Sequence, residues 1–154
     1  DGMVDLIIGN GANEINHLFL SDRVKMFSKA IDLPGGAQKT NHVVVADVNN
    51  DGMLDIIIGN WDSTNQLLLN DGDGTYSEAI DLPDGGDMLT RSIAIADVNN
   101  DGMLDILFGN VLPQNNKLLL NGGNGSYSEA VDLPGRATNV YAIVAADMDG
   151  DNMV

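Results

Sequence analysis

The sequence predicts an all-β protein built from repeated four-stranded units, and three observations predict it. Positions recur every 50 residues: Asp5, Asp55 and Asp105 form one series and Asp47, Asp97 and Asp147 another. Each unit holds short apolar runs rich in β-branched residues and bounded by turn residues, the pattern of strands. No segment carries the 3.6-residue apolar period of a helix. Four strands in 50 residues is the signature of a propeller blade. A flat β-solenoid is the main competitor, but its rungs are usually shorter.

Within a unit the first run is His42-Val-Val-Val-Ala46, matched by Ser92-Ile-Ala-Ile-Ala96. Both are apolar on two faces, as innermost strands are when blades stack on either side of them. Next comes Asp-Val-Asn-Asn-Asp-Gly-Met-Leu-Asp, present without change at 47–55 and 97–105. Ile56-Ile-Ile58 and Ile106-Leu-Phe108 form the second strand, each followed by Gly-Asn. The third run is Leu67-Leu-Leu69 in one unit and Leu118-Leu-Leu120 in the next, with Leu18-Phe-Leu20 before them. A Gly-rich turn leads to a half-polar outer strand, Tyr76–Pro83 or Tyr127–Pro134, with Phe27–Pro34 as its first copy. The middle unit is one residue shorter between Asn60 and Leu67 and one longer between Pro83 and Asp97. A strand cannot absorb a one-residue shift without exchanging faces, so both segments read as loops.

These boundaries give blade 1 at 1–34, lacking its innermost strand, blade 2 at 42–83 and blade 3 at 92–134. Segment 141–147 is a further innermost strand with no blade of its own. Three blades are too few for a ring, since propellers typically have four to eight. Head-to-tail pairing would cover both open edges. We therefore expect ring completion by oligomerisation: a six-bladed homodimer, or less readily a nine-bladed trimer.

The nine-residue motif carries the chemistry. Oxygen side chains at positions 1, 3, 5 and 9, with Gly at 6 for a sharp turn, describe a loop wrapped around Ca2+. Three carboxylates converging on one turn would otherwise repel one another. Asp47, Asn49, Asp51 and Asp55 would give side-chain oxygens and Met53 its carbonyl; Asp97, Asn99, Asp101, Met103 and Asp105 would do the same. A third site would be shared at the junction, combining Asp147 and Asp149 of one copy with Asp5 of another; because 151–154 duplicates 1–4, Asp151 or Asp1 is displaced there, and this site should be the weakest. The strand flanks and the closing Asp set these loops apart from a helix-loop-helix site, which runs twelve residues and ends on Glu.

The chain of 154 residues has a net charge of −16, with 20 Asp against 3 Glu. A nucleic-acid partner is disfavoured because phosphates would meet a strongly negative surface. No apolar run reaches the ~18 residues of a membrane-spanning helix, and there is no cysteine. Asn70-Asp-Gly-Asp-Gly74 reads as a turn, since Asn121-Gly-Gly-Asn-Gly125 drops both acids and keeps the glycines. His17 and His42 stand apart from any catalytic pattern, and no Ser/His/Asp arrangement repeats, so we expect no enzymatic activity. Trp61 could stack on a sugar, although packing against the neighbouring blade is the stronger reading.

Ala46–Asn60, Leu67–Tyr76 and Phe108-Gly109 together resemble the FG-GAP/VCBS repeats of the integrin α-subunit propeller and of many secreted bacterial proteins. The resemblance spans essentially the whole chain. It implies a propeller whose loops between first and second strands bind calcium. The Gly-Ala-Pro half of the family motif is missing after Gly59 and Gly109, and Asn152 replaces the loop glycine of the third copy. The expected function is a calcium-stabilised, non-enzymatic scaffold for protein or carbohydrate recognition. A lectin with sugar sites between blades, or an amplified repeat with no evolved ligand, are the alternatives. Weak calcium sites stay filled only where free calcium is millimolar, which points to an extracellular or cell-surface location.

Overall fold

The computed structural model describes residues 3–24 and 26–150. The described chain is all β, without a helix, and it forms a propeller-like row of antiparallel meanders. Blade 1 comprises β1 (Leu6–Ile8), β2 (Glu14–Asp22) and β3 (Met26–Gln38), in that spatial order. Blade 2 comprises β4 (Thr40–Ala46), β5 (Asp55–Ser63), β6 (Gln66–Leu68) and β7 (Ile80–Asp81). Blade 3 comprises β8 (Met88–Ala96), β9 (Asp105–Asn110) and β10 (Lys117–Leu119). It also holds a small hairpin of β11 (Asn121–Gly123) and β12 (Ser126–Tyr127), and ends at β13 (Val131–Asp132).

The blades are stitched at their boundaries. β5 runs past the expected loop at Asn60, and Trp61 and Ser63 pair with Leu89 and Met88 of β8. The missing residue falls at 61–64, where β5 bulges between Trp61 and Ser63, whereas the extra residue falls between Pro83 and Thr90, ahead of a bulge at Thr90/Ser92 that recurs at Thr40/His42. The outer strands of blades 2 and 3 form only short ladders, at Ile80–Asp81, Ser126–Tyr127 and Val131–Asp132, while Tyr76 makes a single bridge to Asn70. The outer strand of blade 1 is longer than expected, running through Pro34 to Gln38.

The expected strand at 141–147 forms no ladder. It nevertheless occupies an innermost-strand position. Ile143 N donates to Ser92 Oγ at 3.2 Å, just as Ile93 N, fifty residues earlier, donates to His42 Nδ1 at 3.3 Å. A ladder needs a second strand on the same blade, and none is present beside this segment among the described residues.

The core lies between blades. Val48, Ile57, Leu67, Ile93, Ile106 and Leu119 are buried together between blades 2 and 3. Leu18, Ile56, Ile58 and Leu68 fill the space between blades 1 and 2. Close approach requires glycine on the second strand. A Cβ at Gly59 would lie 2.9 Å from Thr90 Cγ2 and 3.0 Å from Ile93 Cδ1. Gly59→Ala is therefore expected to cost about 1–3 kcal/mol, read as a lowered urea midpoint at unchanged slope. A midpoint equal to the parent's would contradict this packing.

A buried polar network, not anticipated from the sequence, joins the blades. Thr90 Oγ1 accepts from Asn65 Nδ2 at 2.8 Å and donates to Asn110 Oδ1 at 2.9 Å. Asn65, Thr90 and Asn110 are fully buried. Asn16, Thr40 and Asn60 repeat the arrangement one blade earlier. Because hydroxyl and amides satisfy one another, their burial avoids the penalty of an unpaired polar group.

Candidate cation-binding loops

Each nine-residue loop joins the innermost strand of its blade to the second, β4 to β5 or β8 to β9. The turn is made by two left-handed residues, Asn50 (φ 60°) with Gly52 (φ 87°), and Asn100 (φ 59°) with Gly102 (φ 85°). Asparagine is the non-glycine residue best suited to that region, which explains position 4 of the motif.

The side chains organise the loop through its own N–H groups. Asp51 N donates to Asp47 Oδ1 and to Asn49 Oδ1, both at 3.1 Å, and Gly52 N donates to Asp47 Oδ2 at 2.8 Å. Met53 N donates to Asp51 Oδ1 at 2.8 Å, and Asn49 Nδ2 to Asp51 Oδ2 at 2.8 Å. Asp55 is fully buried beneath the turn and accepts Val48 N at 3.0 Å and Asn70 N at 2.9 Å. Asp97, Asn99, Asp101 and Asp105 reproduce every one of these bonds, the last with Val98 N and Asn121 N.

The position-9 aspartate thus has a structural job that the sequence reading assigned wholly to the ion. It ties the loop to the start of the Gly-rich turn. Burial raises the Asp55 pKa, the N–H groups of Asn70 and Val48 counter that, and the charges of Asp51 and Asp47 raise it further. Tyr76 is pushed up by burial and then by the charges of Asp55 and Asp5; Tyr127 by burial, Asp105 and Asp55. Asp47, Asp51 and Asp55 therefore share one electrostatic neighbourhood.

Among the described residues, no group of three or more acidic or histidine side chains is arranged to hold a metal ion. The geometry above gives the reason: the loop carboxylates are turned onto main-chain N–H groups. The donor set itself fits a hard cation, since it is all oxygen and concentrates three carboxylates within nine residues. Rotation of Asp47, Asn49 and Asp51 from N–H partners toward one point would convert the turn into a ligand cage.

The junction residues are divided. Asp5 Oδ1 accepts Ser21 N at 2.9 Å at the start of blade 1, and Asp147 Oδ1 accepts Gly150 N at 2.7 Å at the other end. Asp149 follows in the same loop, while Asp1 and Asp151 lie outside the described residues. The second acidic cluster is a turn: Gly72 and Gly74 have φ of 92° and 85°, matched by 89° and 73° at Gly123 and Gly125.

His17 pairs with Asp32 at 3.3 Å, and half-buried His42 accepts Ile93 N, with its pKa lowered by burial. Trp61 pairs with the next blade, and the Arg91 guanidinium sits 5.5 Å from its ring and 4.9 Å from that of Tyr141.

A family model described as an FG-GAP-like repeat matches residues 1–58 and 47–108. No curated protein matches the chain.

Proposed function

The chain belongs to the FG-GAP-like repeat family, and from that premise we propose that it is a calcium-stabilised, non-enzymatic binding scaffold. One observation carries the reading: two sequence-identical loops hold three carboxylates each in a single turn, at equivalent places in adjacent blades, and a polar turn has no need of that much like charge. Asp47, Asn49, Asp51 and Asp55 would hold one ion with the Met53 carbonyl, and Asp97, Asn99, Asp101, Met103 and Asp105 another. Bound calcium would neutralise the loops and fix each innermost strand to the second. It supplies no reaction step.

On this reading the blades are a rigid frame, and recognition of a protein or glycan belongs to the loops at the blade ends. The ring closes with a second copy, and the protein works outside the cell, where millimolar calcium keeps weak sites occupied. Titration calorimetry on the calcium-free protein tests the proposal. Two or more calcium ions should bind per chain, with dissociation constants of about 10⁻⁴ to 10⁻³ M, and magnesium should bind less tightly because it demands stricter octahedral geometry. Absence of calcium heat at millimolar concentration would remove the basis of this reading.

The lectin alternative draws on Trp61 and on Tyr141, a residue that is 75% exposed. A glycan array run with the parent and with Trp61→Ala separates the two readings: sugar binding between blades is lost in the variant, and recognition by the end loops is kept.

A further inference from the structure

The boundary between blades 2 and 3 carries a pair of side chains that departs from the repeat. Counted from Asn10, Asn60 and Asn110, Trp61 stands where the other units have Gly11 and Val111. Arg91 stands where the unit before it has Asn41. Asn41 is satisfied within the protein, its Nδ2 donating to Thr90 O at 2.9 Å. Arg91 is not. Its Nε is, among the described residues, the one buried side-chain nitrogen or oxygen with no hydrogen-bond partner. Among the same residues it forms no ion pair, in a chain with 23 acidic residues to 7 lysines and arginines. What the guanidinium has is two rings, with centroids 5.5 Å away at Trp61 and 4.9 Å away at Tyr141. Such contacts attract a cation but leave the N–H donors in its plane unanswered. A buried donor without an acceptor is uncommon in native proteins, and the chain offers this one none.

We propose that Arg91 anchors the carboxylate of an acidic sugar of the uronate class at the end of a glycan, with Trp61 as the stacking surface. A carboxylate gives the guanidinium what the chain withholds. One oxygen accepts Nε–H and the other the adjacent Nη–H, the side-on pairing that arginine's planar fork matches. Reaching Nε takes a turn of the Arg91 side chain, which no ion pair among the described residues holds in place. The same turn uncovers the Trp61 ring for the C–H face of the sugar. Trp61 is fixed beforehand: it pairs with Leu89, and its N–H donates to Lys39 O at 2.8 Å. Trp61 lies late in β5 and Arg91 early in β8, so both are at the blade end opposite the nine-residue loops and their acids. Exposed Asp62 follows Trp61, exposed Asp87 precedes β8, and the chain has a net charge of −16. A peptide with several acids would be repelled there, whereas a sugar brings one carboxylate and an apolar face. This ligand class rests on the lectin reading given above, and not on the calcium loops.

Trp61 is the only tryptophan in the chain, so tryptophan fluorescence reports on this site alone. Titration with methyl β-glucuronide should shift the emission and saturate with a dissociation constant of about 1 mM, ordinary for so small a ligand. Methyl β-glucoside, which has a hydroxymethyl group in place of the carboxylate, should bind at least about tenfold more weakly. Arg91→Gln should bring the glucuronide down to the affinity of the glucoside. Arg91→Lys keeps the charge without the fork and should fall between. The comparison of the two glycosides on the parent protein decides the matter even where a variant misfolds. Equal affinity for both would overturn the role of Arg91 and leave the lectin reading in place. Glucuronide binding that survives Arg91→Gln at full strength would do the same. A response to tetraglutamate but not to the glucuronide would overturn the sugar and point to an acidic protein partner. Silence toward all three overturns the site, and glycans still captured on the array would then place the lectin reading elsewhere on the blades.

Discussion

Replacing Asp105 with alanine is expected to destabilise the protein by roughly 2–5 kcal/mol, with or without calcium. The Asp105 carboxylate is fully buried and takes N–H bonds from Val98 at 3.0 Å and Asn121 at 2.8 Å. Truncation leaves both donors without an acceptor where water has little access, at about 1–3 kcal/mol each. It also frees Asn121, whose side chain reaches across the blade boundary to Val48. Asp97 offers the contrast. Its oxygens take the Asp101 and Gly102 N–H groups in an exposed turn, where water can replace it. Asp97→Ala should therefore change stability by less than about 1 kcal/mol in calcium-free buffer and by more once calcium is added. Urea unfolding of both variants under both conditions measures the difference. Equal losses for the two in calcium-free buffer would refute a separate structural role for the ninth position.

Much of this design was legible in the sequence because identical nonapeptides fix both a period and a donor set. Strand order within each blade followed from that period. The stitching of blades was not legible. Gly59-Asn60 and Gly109-Asn110 read as turn dipeptides, yet Asn60 and Asn110 are fully buried partners of Thr40 and Thr90. Asn and Thr are turn formers by local chemistry, and only the tertiary partner reveals that they are core. Their recurrence at a spacing of 50 was the available signal. The structural role of the ninth aspartate was hidden in a related way. A carboxylate in a cation motif reads as a ligand, while its burial and two N–H bonds appear only when strands bring Asn70 or Asn121 alongside.

Calcium should reverse the sign of the protein's pH dependence. At about pH 7, two sites at tenfold excess over their dissociation constants add about 1.4 kcal/mol each, so removing calcium should lower the melting temperature by roughly 5–10 °C. Without calcium the dominant titrations favour acid. Buried Asp84 has its pKa raised to about 6 by loss of solvation, only partly countered by the N–H groups of Asn65 and Gly86. Asp55 is also raised, by burial first and then by the charges of Asp51 and Asp47. A carboxyl group whose folded pKa exceeds its unfolded value binds its proton more tightly when folded. Its contribution is complete below the unfolded value near 4 and is lost as pH rises through about 6. The calcium-free protein should therefore gain stability as pH falls from about 7 to about 5, helped by relief of repulsion in a chain of net charge −16. With calcium the carboxylates must be ionised to hold the ion, so protons compete with it and the same acidification should cost stability. Melting curves at about pH 7 and about pH 5, each with and without millimolar calcium, should converge at the acid end. Asp84→Asn should flatten the calcium-free profile and leave the calcium increment at neutral pH intact, because Asp84 bonds Asn65 and Gly86 rather than either loop. Parallel profiles, separated by the same calcium increment at both pH values, would mean that the loop carboxylates do not hold the ion.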